Sequence, residues 1–187
     1  MIFFSTLSKW TILFALFSAI TSCALLRNDK VDNNFYQLQP LPSELQNKVF
    51  LESLIFEKKD KYALLSQIET QEQTLSLGAM TFNGLPVIQA KWDSAQGLVG
   101  FDSVTFDKHM VLLILRDIQL IKWPENDIQA GLLPNYNLST TKKDGVKWLR
   151  EIKYSNKAVI TIIYTEQKTV LTNVLEHYQL TIEQVNE

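Results

Sequence analysis

Cys23 is the only cysteine among the 187 residues, and a lone thiol can act as a nucleophile, a metal ligand or a site of acylation. It ends the run Ile20-Thr21-Ser22-Cys23, directly after an apolar stretch that begins at Trp10. One basic residue, Lys9, precedes that stretch, and two small residues precede the thiol, as in the signal segments of exported proteins. The pattern therefore predicts a cleaved export signal over residues 1–22.

A cysteine at this place is typical of a bacterial lipoprotein signal, in which it becomes the acylated first residue of the mature chain. We therefore predict a diacylglycerol and an N-acyl chain, such as palmitate, on Cys23, and no cofactor besides. An uncleaved membrane span is disfavoured because the apolar run is about half of the ~20 residues that a bilayer requires. An ordinary buried thiol would have little packing reason to follow a signal segment. The next residue is Ala24 rather than aspartate, which in Gram-negative bacteria favours a periplasm-facing place in the outer membrane.

Motifs for catalysis are missing from the chain. It has no Gly-x-Ser-x-Gly elbow, no His-Glu-x-x-His helix and no phosphate-binding loop. His109 and His177 are isolated from carboxylates at metal-ligand spacing, and a lone histidine is more often an ordinary surface or core residue. We predict neither an enzyme nor a metal site.

Binding is better supported by the aromatic residues. Trp10 belongs to the signal, which leaves Trp92, Trp123 and Trp148 as large, rigid apolar surfaces that can line a cavity or simply pack in the core. Arg150 follows Trp148 closely and is our candidate for a polar contact to a ligand, with a cross-strand ion pair as the alternative. Tyr154 completes this set of candidate cavity residues.

Charge limits the classes of partner. The chain has 18 basic and 20 acidic residues, with no basic cluster of the kind that neutralises nucleic-acid phosphates. The same balance disfavours a polybasic patch as the main membrane anchor. A chain of this length fits one domain, which we expect to be a monomer. A single cysteine provides no disulfide, so the domain must be stabilised by packing.

The mature chain is predicted to begin with a flexible tether over residues 23–45, which is polar and contains Pro40 and Pro42. A single domain over residues 46–187 follows. Its first part has four segments rich in β-branched and aromatic residues, each bounded by a turn signal. Asn83-Gly84 is predicted to form a tight hairpin turn of the primed type between the last two segments. The four predicted strands cover residues 49–57, 62–70, 74–82 and 85–93.

The middle of the domain changes to helical spacing. Residues 107–123 place apolar residues such as Val111, Ile114 and Ile118 at intervals of three and four, with Asp107 as N-cap and Arg116 and Asp117 as polar positions. A strand over residues 111–115 is the alternative. A second short helix is predicted over residues 124–133, with Pro124 in its first turn and Pro134 ending it.

The last third returns to alternating, strand-like segments. The predicted strands cover residues 136–141, 146–154, 158–165, 169–175 and 178–185. Trp148, Arg150, Ile152 and Tyr154 share one face of the second of these strands. The expected fold class is therefore α+β and mainly antiparallel β, with a curved half-barrel sheet around short helices.

The order of strands, helices and strands behind a lipoprotein signal resembles the lipoprotein carrier LolA and the outer-membrane receptor LolB. The steps Trp123-Pro124 and Leu171-Thr172-Asn173, and the final Tyr178-Gln179-Leu180-Thr181-Ile182, also resemble an uncharacterised family of small lipoproteins often encoded with aryl-polyene biosynthesis genes. The family often has Gly-Tyr before the last strand, where this chain has His177 before Tyr178.

These resemblances imply a LolB-like half-barrel with an apolar cavity. The implied function is to bind or transfer a lipid-like or lipoprotein ligand at the outer membrane, with aryl-polyene lipid export as one setting. The alternative is a periplasmic interaction or scaffold lipoprotein without a ligand cavity.

Overall fold

A computed structural model describes residues 34–185 of the chain. The signal segment 1–22, the acylation site Cys23 and the first part of the predicted tether lie outside the described residues, as do residues 186 and 187.

The described residues form one antiparallel sheet of ten strands, in the order β5-β4-β3-β2-β1-β10-β9-β8-β7-β6. The strands are β1 (Lys48–Glu57), β2 (Lys61–Gln71), β3 (Thr74–Thr81), β4 (Pro86–Asp93), β5 (Gly97–Ser103), β6 (Tyr136–Lys143), β7 (Val146–Tyr154), β8 (Lys157–Tyr164), β9 (Lys168–Asn173) and β10 (Tyr178–Gln184). The sheet is open, with β5 and β6 as its edges. The prediction of a mainly antiparallel α+β fold is confirmed.

The alternation of apolar and polar residues gives each strand one buried face. In β2, the side chains of Leu64, Ser66, Ile68 and Thr70 are buried, while those of Gln67, Glu69 and Gln71 are exposed. Side chains that alternate in this way point to opposite faces of a sheet, so one face of the whole sheet is apolar. That face needs a covering layer.

Two helices supply most of that layer, namely α1 (Lys108–Lys122) and α2 (Glu125–Gly131). The predicted N-cap of α1 is confirmed, since the backbone N–H of Met110 donates to the Asp107 carboxylate at 2.8 Å. Pro124 directly precedes α2, where its missing N–H is not needed. The alternative strand over residues 111–115 is therefore wrong. No helix within residues 34–185 is both long enough and apolar enough to span a membrane.

Helix α1 lies in a single hydrophobic cluster with inward side chains from both halves of the sheet. Leu115, Ile118 and Leu120 are almost completely buried there, as are Ile68 of β2 and Ile162 of β8. Contacts with α1 come from strands as far apart as β1, through Glu52, and β7, through Arg150, so the sheet must curve around the helix.

Strand β5 was not predicted from the sequence. Its residues include Gly97 and Gly100, and glycine lowers the tendency of a segment to form a strand. As an edge strand it also has little burial, so its sequence has no clear alternation of apolar and polar residues.

The turn between β3 and β4 differs from the prediction. Of Asn83 and Gly84, only Gly84 has a positive φ, of 85°, whereas a type I′ turn requires positive values at both positions. The N–H of Gly84 donates to the carbonyl of Thr81 at 2.9 Å, so the hairpin has a longer turn that closes on a left-handed glycine.

The second half of the predicted tether also differs from the structure. Phe35, Tyr36 and Leu41 are buried, at 0%, 4% and 8% exposure. We call residues 35–41 the strap. A 3-10 turn, Ser43–Leu45, connects the strap to β1. The sequence suggested a tether because the segment is polar and aperiodic, but two aromatic anchors and a leucine suffice to fix it on the domain.

Removing the N-cap of α1 tests how strongly this helix depends on it. Asp107→Ala should lower the free energy of unfolding by about 1 kcal/mol, because the N–H of Met110 loses its acceptor. Urea denaturation measures this change. The matched control is Asp102→Ala in the exposed edge strand β5, where a change within about 0.5 kcal/mol is expected. Equal losses in the two variants would contradict the assigned capping role.

Candidate functional site

Helix α1 carries three buried polar side chains in the middle of the apolar layer. Arg116, Asp117 and Gln119 are only 5%, 1% and 1% exposed. A buried polar group without a partner costs about 1–3 kcal/mol, so each of these groups must be satisfied from within the domain. Their partners show how the helix is held between the sheet and the strap.

Arg116 and Asp117 form a network with Tyr178 at the start of β10. The Arg116 Nε and Nη2 atoms each donate to Asp117 Oδ1 at 2.9 Å. The Tyr178 hydroxyl receives a hydrogen bond from Arg116 Nη2 at 3.0 Å and donates to Asp117 Oδ2. The network joins the middle of α1 to the central strands of the sheet.

The protonation states in this network follow from burial. Burial raises the pKa of the Tyr178 hydroxyl well above its usual range, and the Asp117 carboxylate raises it further. Burial lowers the pKa of Arg116, but the adjacent Asp117 and the Tyr178 hydroxyl together more than reverse that effect. Tyr178 therefore remains a neutral donor and Arg116 a cation across the physiological range, which suits a structural network better than proton transfer.

Gln119 binds the backbone of the strap. Its Oε1 atom accepts from the Gln39 N–H at 2.8 Å, and its Nε2 atom donates to the Gln39 carbonyl at 3.1 Å. The Tyr36 hydroxyl also donates to Gln119 Oε1, at 3.1 Å. The side-chain amide thus pairs with the strap as a neighbouring strand would. A single residue of α1 holds the middle of the strap.

The two ends of the strap have their own anchors. Near its start, the Arg116 guanidinium lies 4.9 Å from the centre of the Phe35 ring, a cation–π contact. Near its end, Trp123 Nε1 donates to the Pro40 carbonyl at 3.0 Å. The Leu41 N–H donates to Ser94 Oγ at 3.4 Å, beyond β4. The strap therefore runs along α1 and contacts the sheet at its end.

Between these anchors, the strap pairs with the segment that follows α2. Tyr36 and Leu132 form an antiparallel bridge. It is flanked by hydrogen bonds from the Leu133 N–H to the Phe35 carbonyl (2.9 Å) and from the Gln37 N–H to the Gly131 carbonyl (2.8 Å). A Cβ atom on Gly131 would lie 2.6 Å from the Gln37 carbonyl oxygen and would also collide with the Tyr36 ring. Only glycine allows this close approach.

Two side chains of the sheet bind the C-terminal end of α1. Arg150 Nη1 donates to the Leu120 carbonyl at 2.7 Å, with longer contacts to the carbonyls of Ile121 and Trp123. The Tyr164 hydroxyl donates to the Ile121 carbonyl at 2.8 Å. A cation at this end is favourable because the terminal carbonyls carry partial negative charge. Burial raises the pKa of Tyr164 to about 12, although the nearby Arg150 lowers it.

An ion pair completes the attachment of α1. Lys122 Nζ lies 2.6 Å from Glu52 Oε1 on β1 and 4.1 Å from the centre of the Phe50 ring. Glu52 is 4% exposed, and its Oε2 atom has no hydrogen-bond partner among the described residues. Breaking this pair would leave a buried charge, which is strongly unfavourable.

The structure does not bring the five predicted cavity residues together. Trp92 and Trp123 are buried, whereas Trp148 is 41% exposed under the Lys142 ammonium. Tyr154 packs against the Tyr136 ring, with 5.0 Å between centroids. Arg150 binds the C-terminal end of α1 and, among the described residues, forms no cross-strand ion pair. Its Nε atom has no hydrogen-bond partner within the same residues.

A separate open groove of about 580 Å³ lies on the outer face of strands β2–β5. Gln67, Gly78 and Gln89 occupy adjacent positions across its floor. The remaining polar lining comes from Glu69, Ser76, Lys91 and Asp102. None of the five predicted cavity residues lines this groove. Apolar side chains, among them Met80, Pro86 and Phe101, form the rest of the lining, so the groove offers both polar and apolar contacts to a peptide.

The buried strap contacts were missed by the sequence analysis. The available signal was the pair Phe35-Tyr36 in an otherwise polar segment, since adjacent large aromatics seldom occur in a free tether. Over residues 34–185, no cluster of three or more His, Cys, Asp or Glu residues is arranged to hold a metal ion.

A family model described as a protein of unknown function, DUF3261, matches residues 51–186. The match covers the sheet from β1 to β10 and both helices. The chain belongs to this family. A comparison with curated proteins found no match. The family model begins after the strap, so the strap is described by the structure alone.

A methyl group at Gly131 tests the fit of the strap. Gly131→Ala should release the strap locally and lower the free energy of unfolding by about 1–3 kcal/mol, as overpacking does. Hydrogen exchange at the Gln37 amide should accelerate, since that N–H bonds to the Gly131 carbonyl. The matched control is Gly78→Ala, where a Cβ meets nothing within 4 Å. Unchanged exchange at Gln37 in Gly131→Ala would contradict the close fit.

Alkaline pH tests the buried hydroxyl of Tyr164. Its folded-state pKa of about 12 lies above the unfolded value of about 10, so its contribution to stability is complete below pH ~10 and is lost as the pH rises through ~12. Tyr164→Phe should lose about 1 kcal/mol near neutral pH. Urea unfolding of both proteins at several pH values should show a shallower alkaline decline in the variant. Parallel pH curves would refute the assignment.

Proposed function

We propose that this protein is an outer-membrane lipoprotein, anchored through acylated Cys23, that binds a lipid-like ligand between its sheet and its helix layer and passes it on. The observation that carries the proposal is the cover of the sheet. A continuous apolar face is closed by the two helices and the strap, and the strap is the part of this cover with the fewest apolar contacts. The strap can be displaced while the ten-strand ladder stays intact.

The interior is filled by α1 in the closed arrangement, so an acyl chain would have to displace part of the cover. Opening the strap breaks the hydrogen bonds described above, each worth roughly 1 kcal/mol net, and exposes Phe35, Tyr36 and Leu41, each worth about 1.5–3 kcal/mol. Each buried methylene of a ligand contributes about 0.8 kcal/mol. Burial of roughly one whole acyl chain therefore offsets the loss of the strap contacts, and closure of the strap would in turn favour release of the ligand.

A polar anchor for the ligand is available at the end of α1. Arg150 binds the helix through Nη1, while its Nε–H lacks a partner among the described residues. We propose that this donor binds a carbonyl or headgroup oxygen of the ligand. The proposal involves no catalytic step, no metal and no cofactor.

The finer parts of the proposal depend on resemblance. The order of strands and helices resembles LolA and LolB, which favours a lipid or lipoprotein as cargo. The terminal motifs resemble lipoproteins encoded with aryl-polyene genes, which favours an aryl-polyene lipid. On this view the protein acts as a monomer at the periplasmic face of the outer membrane.

A scaffold without an internal ligand is the second candidate function. It is favoured by the position of α1 in the hydrophobic core and by the mixed polar and apolar groove of about 580 Å³ on the outer face. That groove can accept a protein partner while the strap stays closed. The two functions differ in whether the strap must open.

Locking the strap with a disulfide tests the proposal. Tyr36 and Leu132 are bridge partners between two flanking hydrogen bonds, so their Cα atoms should lie about 4.5 Å apart, within the range for a disulfide. We expect the oxidised Tyr36→Cys/Leu132→Cys protein to lose uptake of phospholipid from vesicles, measured by native mass spectrometry with lipid extraction. Reduction of the same sample should restore uptake.

The two redox states of one protein are the matched control, because both carry the same substitutions. The single variant Leu132→Cys controls for the added reductant. Equal uptake by the oxidised and reduced forms would reject the opening mechanism. Absence of bound lipid in every form, including the original protein, would instead favour the scaffold.

A further inference from the structure

The ends of the strands lie at two opposite ends of the sheet, and the antiparallel register shows which turns share an end. The β3–β4 turn lies at the same end as the β1–β2, β7–β8 and β9–β10 turns and the end of β5. We call this the β3–β4 end. The start of β6, at Tyr136, belongs to the same end because Tyr136 pairs with Tyr154.

The chain enters the described domain at this end as well. Phe35, the first residue of the strap, stacks on the Tyr136 ring with 5.3 Å between centroids. From there the strap runs to Leu41 and Ser94, at the opposite end. The connection to Cys23 therefore leaves the domain at the β3–β4 end.

The length of that connection restricts the orientation of an anchored domain. Residues 24–33 separate Cys23 from Asn34, so even a fully extended connection spans at most about 40 Å. Strand β1, with 10 residues, is about 34 Å long. An anchor at Cys23 therefore holds the β3–β4 end within about one sheet length of the membrane, and we expect this end to face the bilayer.

The side chains at this end suit such a position. The hairpin tip exposes Phe82 (62%) and Leu85 (60%), and Val104 after β5 is 80% exposed. Val174 in the β9–β10 turn is 50% exposed. Large apolar side chains at the tips of turns are unfavourable in water and favourable at a bilayer interface.

Basic residues accompany these apolar tips. Lys59 in the β1–β2 turn, Lys108 at the start of α1 and Lys157 at the start of β8 are exposed at the same end. Lysines near a membrane surface are attracted to anionic headgroups. Lysines are exposed at the opposite end too, at Lys48, Lys143 and Lys168, so charge suits a lipid surface without selecting this end. The end is selected by the place where the described chain begins.

We propose that the hairpin tip at Phe82 and Leu85, with Val104 beside it, inserts into the headgroup region of the membrane that carries the acylated Cys23. This docking orients the β5 edge and the start of α1 toward the lipid. It rests on the proposed anchor at Cys23 and does not depend on an internal lipid ligand.

A single introduced cysteine can test the docking, because acylation consumes the only native thiol. Phe82→Cys and Val49→Cys are prepared in the full acylated protein, each labelled with an environment-sensitive fluorophore. Both side chains are exposed, at 62% and 61%, but Val49 lies toward the opposite end, as do Leu51 and Val185. The proteins are reconstituted in vesicles of phosphatidylethanolamine and phosphatidylglycerol, with and without nitroxide-labelled lipid.

We expect a blue shift for the label at position 82 and loss of its emission with nitroxide lipid, with neither change at position 49. Unquenched emission at both positions, or equal quenching at both, would overturn the proposal. A blue shift at position 82 without quenching by nitroxide lipid would place the tip against protein and would also overturn it. Intact mass verifies the anchor independently, and an unmodified Cys23 would reject both the anchor and this orientation.

Discussion

An open sheet with one apolar face is stable in water only if something covers that face, and here the cover depends on polar groups buried within it. Arg116, Asp117 and Gln119 are buried on a helix whose other buried residues are all apolar. Arg116 and Asp117 are satisfied by the sheet through Tyr178, whereas Gln119 is satisfied by the strap. Helix α1 is therefore fixed in position from two sides. A purely apolar helix could slide along the sheet, but this one can move only if identifiable bonds break.

The strap gives this arrangement a direct link to the rest of the chain. It is the first described segment, it lies along α1, and it contacts the sheet near Ser94 at its far end. Any tension on the preceding residues would act first on Phe35 and Tyr36, which hold the start of the strap. The proposed anchoring and the proposed binding of lipid would therefore be mechanically connected through the same short segment.

Local patterns in the sequence were sufficient for most of the secondary structure. Helix α1 follows from the spacing of Val111, Ile114 and Ile118 and from Asp107, and nine of the strands overlap predicted segments. The candidate site was much harder to predict, since it depends on contacts between residues far apart in the chain. Arg116 and Asp117 read as ordinary polar positions until Tyr178, more than 60 residues away, is placed against them. In the same way, nothing local to Gly131 indicates that the strap passes over it.

The strand order has a consequence for how the domain forms. Strands β1–β5 and β6–β10 are two meanders of neighbouring hairpins, and they meet only where β1 pairs with β10, as in Glu52 with Gln184. Each meander closes short loops, whereas the seam between them closes one that includes nearly the whole domain, so we expect the seam to form last. Until β10 pairs with β1, one edge of β1 is unpaired and Tyr178 is not in place to bind the buried charges of α1. Folding is therefore completed by the C-terminal strand, and a chain shortened there would lose the joint between its two halves rather than a peripheral strand.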